Sequence, residues 1–311
     1  MSRLFSRIRH YSTQPAVLQL WQKEITRKKL IENDVINPSQ FNLMGNTLNH
    51  PVYKHNKLPE PGTILPPGWH LAYFPPRVLE TDLSSDGYEK DWSPPEPFVH
   101  RMWAGGELSW SKDNPLRVGQ AVRMESSIRD LQFRSGGRRG DSVFIWVDKH
   151  LHNEHGWSLT ESRCWVYVKQ TSPEKTEVVQ RKELVSDLHN DLDQADFSLV
   201  LKPTPMTLFR FSALTFNSHL IHYDHVYSTT VEHQQGCLTH GPLSFTLMIN
   251  QLYAHLDSSE RITSFNYRCL SPLVVNDTMK VCGRATGANK YDLWVLDKNG
   301  KMAVRGHATT E

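Results

Sequence analysis

The 311-residue chain is expected to fold as an α+β protein in which two similar antiparallel sheets each pack on a helix. Three observations carry that expectation. A stretch of sequence is restated 157 residues downstream, the same order of strands follows each copy, and one strongly apolar helix lies just ahead of the second copy. An antiparallel sheet with a single apolar face needs a cover, and a helix is the economical one.

The restated stretch is "LSWSKDNPLRVGQAVRME" at Leu108 to Glu125, which aligns without a gap with "FNYRCLSPLVVNDTMKVC" at Phe265 to Cys282. Pro115 matches Pro272, Leu116 matches Leu273, Val118 matches Val275, Trp110 meets Tyr267 and Arg123 meets Lys280. Each copy reads as an extended segment, a turn and an alternating strand. After the first, Val143, Ile145 and Val147 alternate, and a polar turn ending at Gly156 leads into "ESRCWVYV". After the second, Tyr291, Leu293 and Val295 alternate, and "DKNG" leads into "KMAVRGHA". Asp and Gly supply hairpin geometry at such turns. Chance similarity between amphipathic strands accounts for a few identities but not for the shared order.

In "GPLSFTLMINQLYAHL", from Gly241, residues Phe245, Met248, Ile249, Leu252 and Leu256 recur every three or four positions and mark one helical face as apolar. For the first half the corresponding helix is placed at "SQFNLMGNTL", Ser39 to Leu48, after an amphipathic helix around Val17 to Ile31. The charged run from Lys169 to Asp196 reads as a surface crossover between the halves. Two Pro-rich segments carry Trp69, Tyr73, Phe74, Phe98 and Trp103, either as groove-lining side chains or as loop anchors.

Composition narrows the function class. Hydrophobic residues make up 38% and charged residues 22%, and no run approaches the roughly 18 apolar residues of a membrane span, so no integral membrane segment is expected. A net charge of +2 gives no reason to expect nucleic acid as a partner. Cys164, Cys237, Cys269 and Cys282 lie far apart, which favours reduced buried thiols. The opening "MSRLFSRIRHYSTQP" holds Arg3, Arg7 and Arg9 but no acidic residue, the composition of a mitochondrial transit peptide, or else a basic disordered terminus. Residues 1–14 are therefore assigned to the transit segment, 15–170 to a first domain, 171–200 to the crossover and 201–311 to a second, with the mitochondrial matrix as destination.

The chemistry-bearing stretch is "FSALTFNSHLIHYD", Phe211 to Asp224. Three readings are open there. His219, His222, His225 and Asp224 have enough ligand atoms for a metal, although the i, i+4 histidine pair of a helical zinc site is missing. They also suit a polar loop in which Asp224 caps the following turn. The third reading is acid–base chemistry, because "GCLTHGPL" places His240 and Gly241 at a helix start, where free N–H groups can receive a developing oxyanion. An imidazole facing such donors can move a proton alpha to a carbonyl.

The pattern N-x-x-x-x-H-x-D followed by H-G at a helix start resembles the MaoC-like branch of the hot-dog fold, as do "RMWAGG" at Arg101 to Gly106 and "PLRVG" at Pro115 to Gly119. The subgroup it most resembles is that of fungal mitochondrial 3-hydroxyacyl-acyl-carrier-protein dehydratases and related bacterial proteins for mesaconyl-CoA hydration, from about Pro61 onward. The resemblance implies a double hot-dog with a non-catalytic first half, no cofactor and no metal. It also implies a thioester substrate carried by acyl carrier protein or CoA, in a monomer or homodimer. His222 matches the family's histidine, while Asn217 stands where the broader family has aspartate and cannot exchange a proton near neutral pH. Catalysis is thus expected from His222, Asn217 and Gly241, and substrate binding from His219, His240, Trp103, Arg138 and Arg139. The competing classes are a hot-dog thioesterase, disfavoured because the central helix carries no acidic residue before Asp257, and a non-catalytic scaffold subunit.

Overall fold

The computed structural model describes residues 16–137, 140–169 and 194–311. The transit segment, Arg138, Arg139 and most of the crossover lie outside the described residues. In order, the chain forms α1 (Ala16–Ile25), β1 (Lys29–Val35), α2 (Pro38–Thr47), β2 (Phe98–Trp110), β3 (Ala121–Gly137), β4 (Gly140–Asn153) and β5 (Gly156–Lys169). The second half forms β6 (Phe197–Leu201), α3 (Pro205–Thr215), α4 (Gly241–His255), β7 (Ile262–Cys269), β8 (Met279–Gly287), β9 (Lys290–Leu296) and β10 (Met302–Thr310). The strands join in one antiparallel sheet of ten, ordered β1-β3-β4-β5-β2-β7-β10-β9-β8-β6. This is the double hot-dog, an α+β fold.

The internal repeat is visible in the register. Strands β2 and β7 pair so that Leu108 faces Phe265, its own counterpart 157 residues on. A pseudo-twofold axis therefore passes between these two buried side chains and relates the halves. Main-chain hydrogen bonds repeat as well. Leu65 N–H donates to Leu116 O and Thr239 N–H to Leu273 O, each at 2.8 Å. Gly119 N–H donates to Ile36 O and Asn276 N–H to Pro203 O, again at 2.8 Å.

Those bonds correct the assignment of the covering helices. Ile36 and Pro203 immediately precede the caps of α2 and α3, so α2 is the counterpart of α3, not of α4. The two share a local signature: Asn37 accepts from Gln40 N–H, Thr204 accepts from Thr207 N–H, and a proline follows each cap. The counterpart of α4 follows Leu65 and is one 3₁₀ turn, Trp69–Ala72. The second half of the sheet thus has a full helix over its concave face and the first half has a single turn.

Helix α4 matches its sequence pattern. Leu243, Phe245, Met248, Ile249 and Leu252 are fully buried against β6, β7, β8 and β9, each worth about 1.5–3 kcal/mol of apolar transfer. Two boundaries differ from expectation. The helix expected over Val17 to Ile31 ends at Ile25, because Lys29 to Val35 alternates exposed and half-buried residues with the period of an edge strand on β3. Strand β6 begins at Phe197, inside the interval assigned to the crossover, since its pairing with β8 ties it to the second half.

Candidate active site

The site is assembled where α3 ends. Phe216 adopts a left-handed conformation (φ 50°), and Asn217 N–H donates back to Ser212 O at 2.9 Å, turning the chain out of the helix. Asn217 Oδ1 then accepts His219 N–H at 3.0 Å. One lone pair of its carbonyl oxygen is thereby occupied, and its amide N–H groups have no partner among the described residues.

His222 closes a short 3₁₀ turn, Leu220–His222, and its Nδ1 lies 2.8 Å from Leu238 O. A carbonyl only accepts, so Nδ1 carries the hydrogen and Nε2 keeps a free lone pair. Leu238 N–H donates in return to Ile221 O at 2.9 Å, which fixes this loop to the segment leading into α4. The His222 ring stacks on His240, with centroids 3.6 Å apart and planes 20° apart. His240 is completely buried, with Nε2 2.9 Å from Ser212 Oγ, and does not line the cavity. The structure thus corrects its expected substrate contact: it forms the floor beneath His222.

Gly241 opens α4, and no side chain caps that helix. Its N–H has no acceptor among the described residues, so the first turn presents an open donor at the positive end of the dipole. Trp103 of β2 lies directly on Gly241; a Cβ there would be 2.9 Å from the indole. Trp103 is held in turn by its Nε1–H, which donates to Tyr267 Oη at 2.8 Å.

Burial sets the electrostatics. It lowers His222 to about 4, with Arg101 adding to the depression and the Leu238 carbonyl opposing it. His219 and His240 are also held well below the ordinary imidazole value, again mainly by burial. All three rings are neutral near pH 7, the state a proton acceptor requires.

Asn217, His219, His222, Gly241 and Trp103 line one cavity of about 1680 Å³. Its walls continue onto the first sheet, where the helix is reduced to a turn. Arg101, the first residue of "RMWAGG", has no functional signal of its own in the sequence; its guanidinium lies 3.4 Å from the Tyr88 ring centroid and 3.4 Å from Asp86 Oδ2. Asp86 and Tyr88 carried no local signal at all. Asp224 Oδ1 accepts Tyr227 N–H at 2.9 Å and so caps the next turn, while His225 is exposed. Among the described residues no three His, Cys, Asp or Glu side chains converge as a metal site. Arg138 and Arg139 lie outside the described residues.

Fold and cavity define a double hot-dog of the MaoC-like class, with a neutral imidazole beside an open helix N-terminus. Residues 68–275 match the family described as Hydroxyacyl-thioester dehydratase type 2. The chain belongs to this family of hydro-lyases, whose members act on hydroxyacyl thioesters. It is 32% identical over 286 residues to Mesaconyl-C(4)-CoA hydratase of Chloroflexus aurantiacus, covering 91% of this chain and 95% of that protein. It is 26% identical over 274 residues to the mitochondrial Hydroxyacyl-thioester dehydratase type 2 of Schizosaccharomyces pombe, covering 80% and 87%. The crystal structure of a MaoC-like dehydratase from Phytophthora capsici superposes with a TM-score of 0.60 at 13% identity, covering 93% of this chain and 98% of that one. Among the described residues no helix is long and apolar enough to cross a membrane.

Proposed function

We propose that the protein catalyses the reversible dehydration of (3R)-3-hydroxyacyl-acyl-carrier-protein to trans-2-enoyl thioester and water, in mitochondrial fatty acid synthesis. The observation that carries the reading is His222, with Nδ1 committed to Leu238 O and Nε2 free, in the cavity that also receives the open N–H of Gly241. His222 Nε2 takes the alpha proton. The electron pair moves into the thioester, whose oxygen is received by Gly241 N–H, and then expels the 3-hydroxyl, which leaves as water with the proton returned by His222. Asn217 contributes its free amide N–H as a donor to that hydroxyl, a role within reach of a residue that cannot titrate. Trp103 shapes the wall over Gly241.

On this reading the second half, from residue 201, carries the chemistry, and the half through residue 170 gives the acyl group room. The basic residues 138 and 139 are assigned to the carrier or its phosphopantetheine arm. The mitochondrial assignment draws on the Arg-rich opening segment and on the mitochondrial location of the fission yeast relative. The bacterial relative supports a second reading, mesaconyl-CoA or a related CoA thioester. Purified protein assayed for enoyl absorbance in both directions, across chain lengths and with both carriers, separates the two. Turnover is expected and is expected to vanish in His222→Ala; unchanged turnover in that variant would remove the assignment of the base.

A further inference from the structure

Where the broader family has an aspartate, Asn217 leaves open what accepts the hydrogen of the 3-hydroxyl. A hydroxyl held firmly needs one donor and one acceptor, and one of the two lone pairs of Asn217 Oδ1 is already taken by His219 N–H at 3.0 Å. A carboxylate does reach this corner of the site, from the other repeat. Asp86 lies in the first half, in the loop that precedes β2. Its Oδ1 accepts from Ser84 Oγ and from Tyr88 N–H, the latter at 3.1 Å. Its Oδ2 is turned the other way and lies 3.4 Å from both Arg101 Nη2 and His219 Nε2.

This loop is fastened to the catalytic loop by its main chain. Leu220 N–H donates to Asp86 O at 2.9 Å, and Ser218 Oγ donates to Gly87 O at 2.5 Å. Gly87, at φ 82°, comes so near that a Cβ would stand 2.2 Å from Ser218 O, so only glycine allows the approach. Tyr88 meets the His219 ring edge-on at 6.1 Å. The carboxylate thus has a fixed position against the imidazole. At 3.4 Å the carboxylate acts on the ring through its charge, and it favours the His219 tautomer with hydrogen on Nε2, which leaves a lone pair on Nδ1. That nitrogen has no partner among the described residues, and His219 lines the cavity with Asn217 and His222, its ring perpendicular to that of His222 at 5.5 Å.

We infer that His219 is a second substrate-facing imidazole, its tautomer set by Asp86 of the first repeat, whose Nδ1 accepts a hydrogen bond from the 3-hydroxyl while the Asn217 amide donates to its oxygen. The inference rests on the dehydratase reading, because it names what holds that reaction's leaving group. The acceptor that an aspartate would provide at position 217 is supplied by a neighbouring histidine. His219 moves no net proton: the alpha proton passes to His222 and leaves with the hydroxyl as water. Asp86 is a positioning residue, and through it the first half takes part in a site whose base lies in the second.

The tautomer can be read directly from ¹⁵N shifts of the His219 ring in labelled full-length protein. The expected result is a bare Nδ1 and a protonated Nε2. In Asp86→Asn the oxygen that accepts Tyr88 N–H must stay in place, so the new amide N–H points at His219 Nε2 and drives the hydrogen to Nδ1. The kcat/KM for dehydration then falls about 10²-fold, as expected when a site imidazole is locked in the wrong tautomer. A wild-type His219 protonated at Nδ1, or a flipped tautomer with unchanged kcat/KM, overturns the inference. The wild-type spectrum decides the first point even if the variant fails to fold. Wild-type protein that turns over no hydroxyacyl thioester removes the dehydratase reading and this inference with it. Turnover accompanied by the wrong tautomer removes the inference alone.

Discussion

The two halves share a strand order and a register, yet their concave faces are chemically opposed. In the second half, Ala308 stands opposite Phe265 and lies in an apolar layer with Val281, Leu293 and Val295 under α4. In the first half, Glu161 stands opposite Leu108, with Lys149 beside it on β4 and Arg163 two residues on. Glu161 is almost wholly buried, 3.1 Å from His70 Nε2 and 2.7 Å from Arg163 Nη2, and against the cost of burial the Arg163 charge and the hydrogen bond to His70 hold its carboxyl far below the ordinary range. Lys149 is also buried; its ammonium donates to Ser126 Oγ at 3.0 Å, and burial lowers it to about 8. The same topology therefore builds a dry core under a helix and a polar cavity under a turn. What decides between them is the cover.

The sharpest break in this comparison is expected in turnover. His222→Gln should cut dehydration about 10³-fold while leaving the melting temperature close to wild type, because the change removes the base but only one hydrogen bond to Leu238. Next is the ionic face. Glu161→Gln keeps the shape but leaves buried Lys149 and half-buried Arg163 without their carboxylate, and urea unfolding should register a loss of about 3–5 kcal/mol. At the axis between the halves, Phe265→Ala should cost about 3–5 kcal/mol and Leu108→Ala about 2–5, measured in the same way. An effect confined to one half would show that the halves unfold separately.

Acid should act on the second half first. Folded His222 titrates near 4, against about 6.5 for an ordinary imidazole, and His219 and His240 are lowered too. Between these values the unfolded chain binds more protons, so the stabilising contribution is complete above about 6.5 and is lost progressively as pH falls toward 4. The melting temperature should drop across that window, and less steeply in His240→Gln. The smallest expected effect is that of Gly241→Ala. Its Cβ must push Trp103 aside, costing about 1–3 kcal/mol and lowering kcat/KM severalfold without loss of the fold.

Much of this was legible beforehand. Period-two runs mark β4 and β9, and the three-and-four spacing from Phe245 to Leu252 marks α4, although β9 from Leu293 to Leu296 and α4 from Leu243 to Ile249 are buried on both faces. The helix at α2 was legible as an element but not as a counterpart. Its relation to α3 is written in main-chain bonds at Gly119 and Asn276, which leave little trace in side-chain identity. Asn217 and His222 could be picked out because they lie close together in one loop. Arg101, Asp86 and Tyr88 could not, since only folding brings them to that loop.

By itself, the sequence determined the repeat, the strands, the helix under the second sheet and the imidazole beside that helix's start, for all of these rest on local periodicity or short spacing. Only the tertiary structure decided which nitrogen of His222 is free, that His240 supports it from beneath, and that the first half answers the opposite sheet with buried charge. Hydrogen-bond partners and desolvation set those properties, and both are supplied by residues remote in the chain.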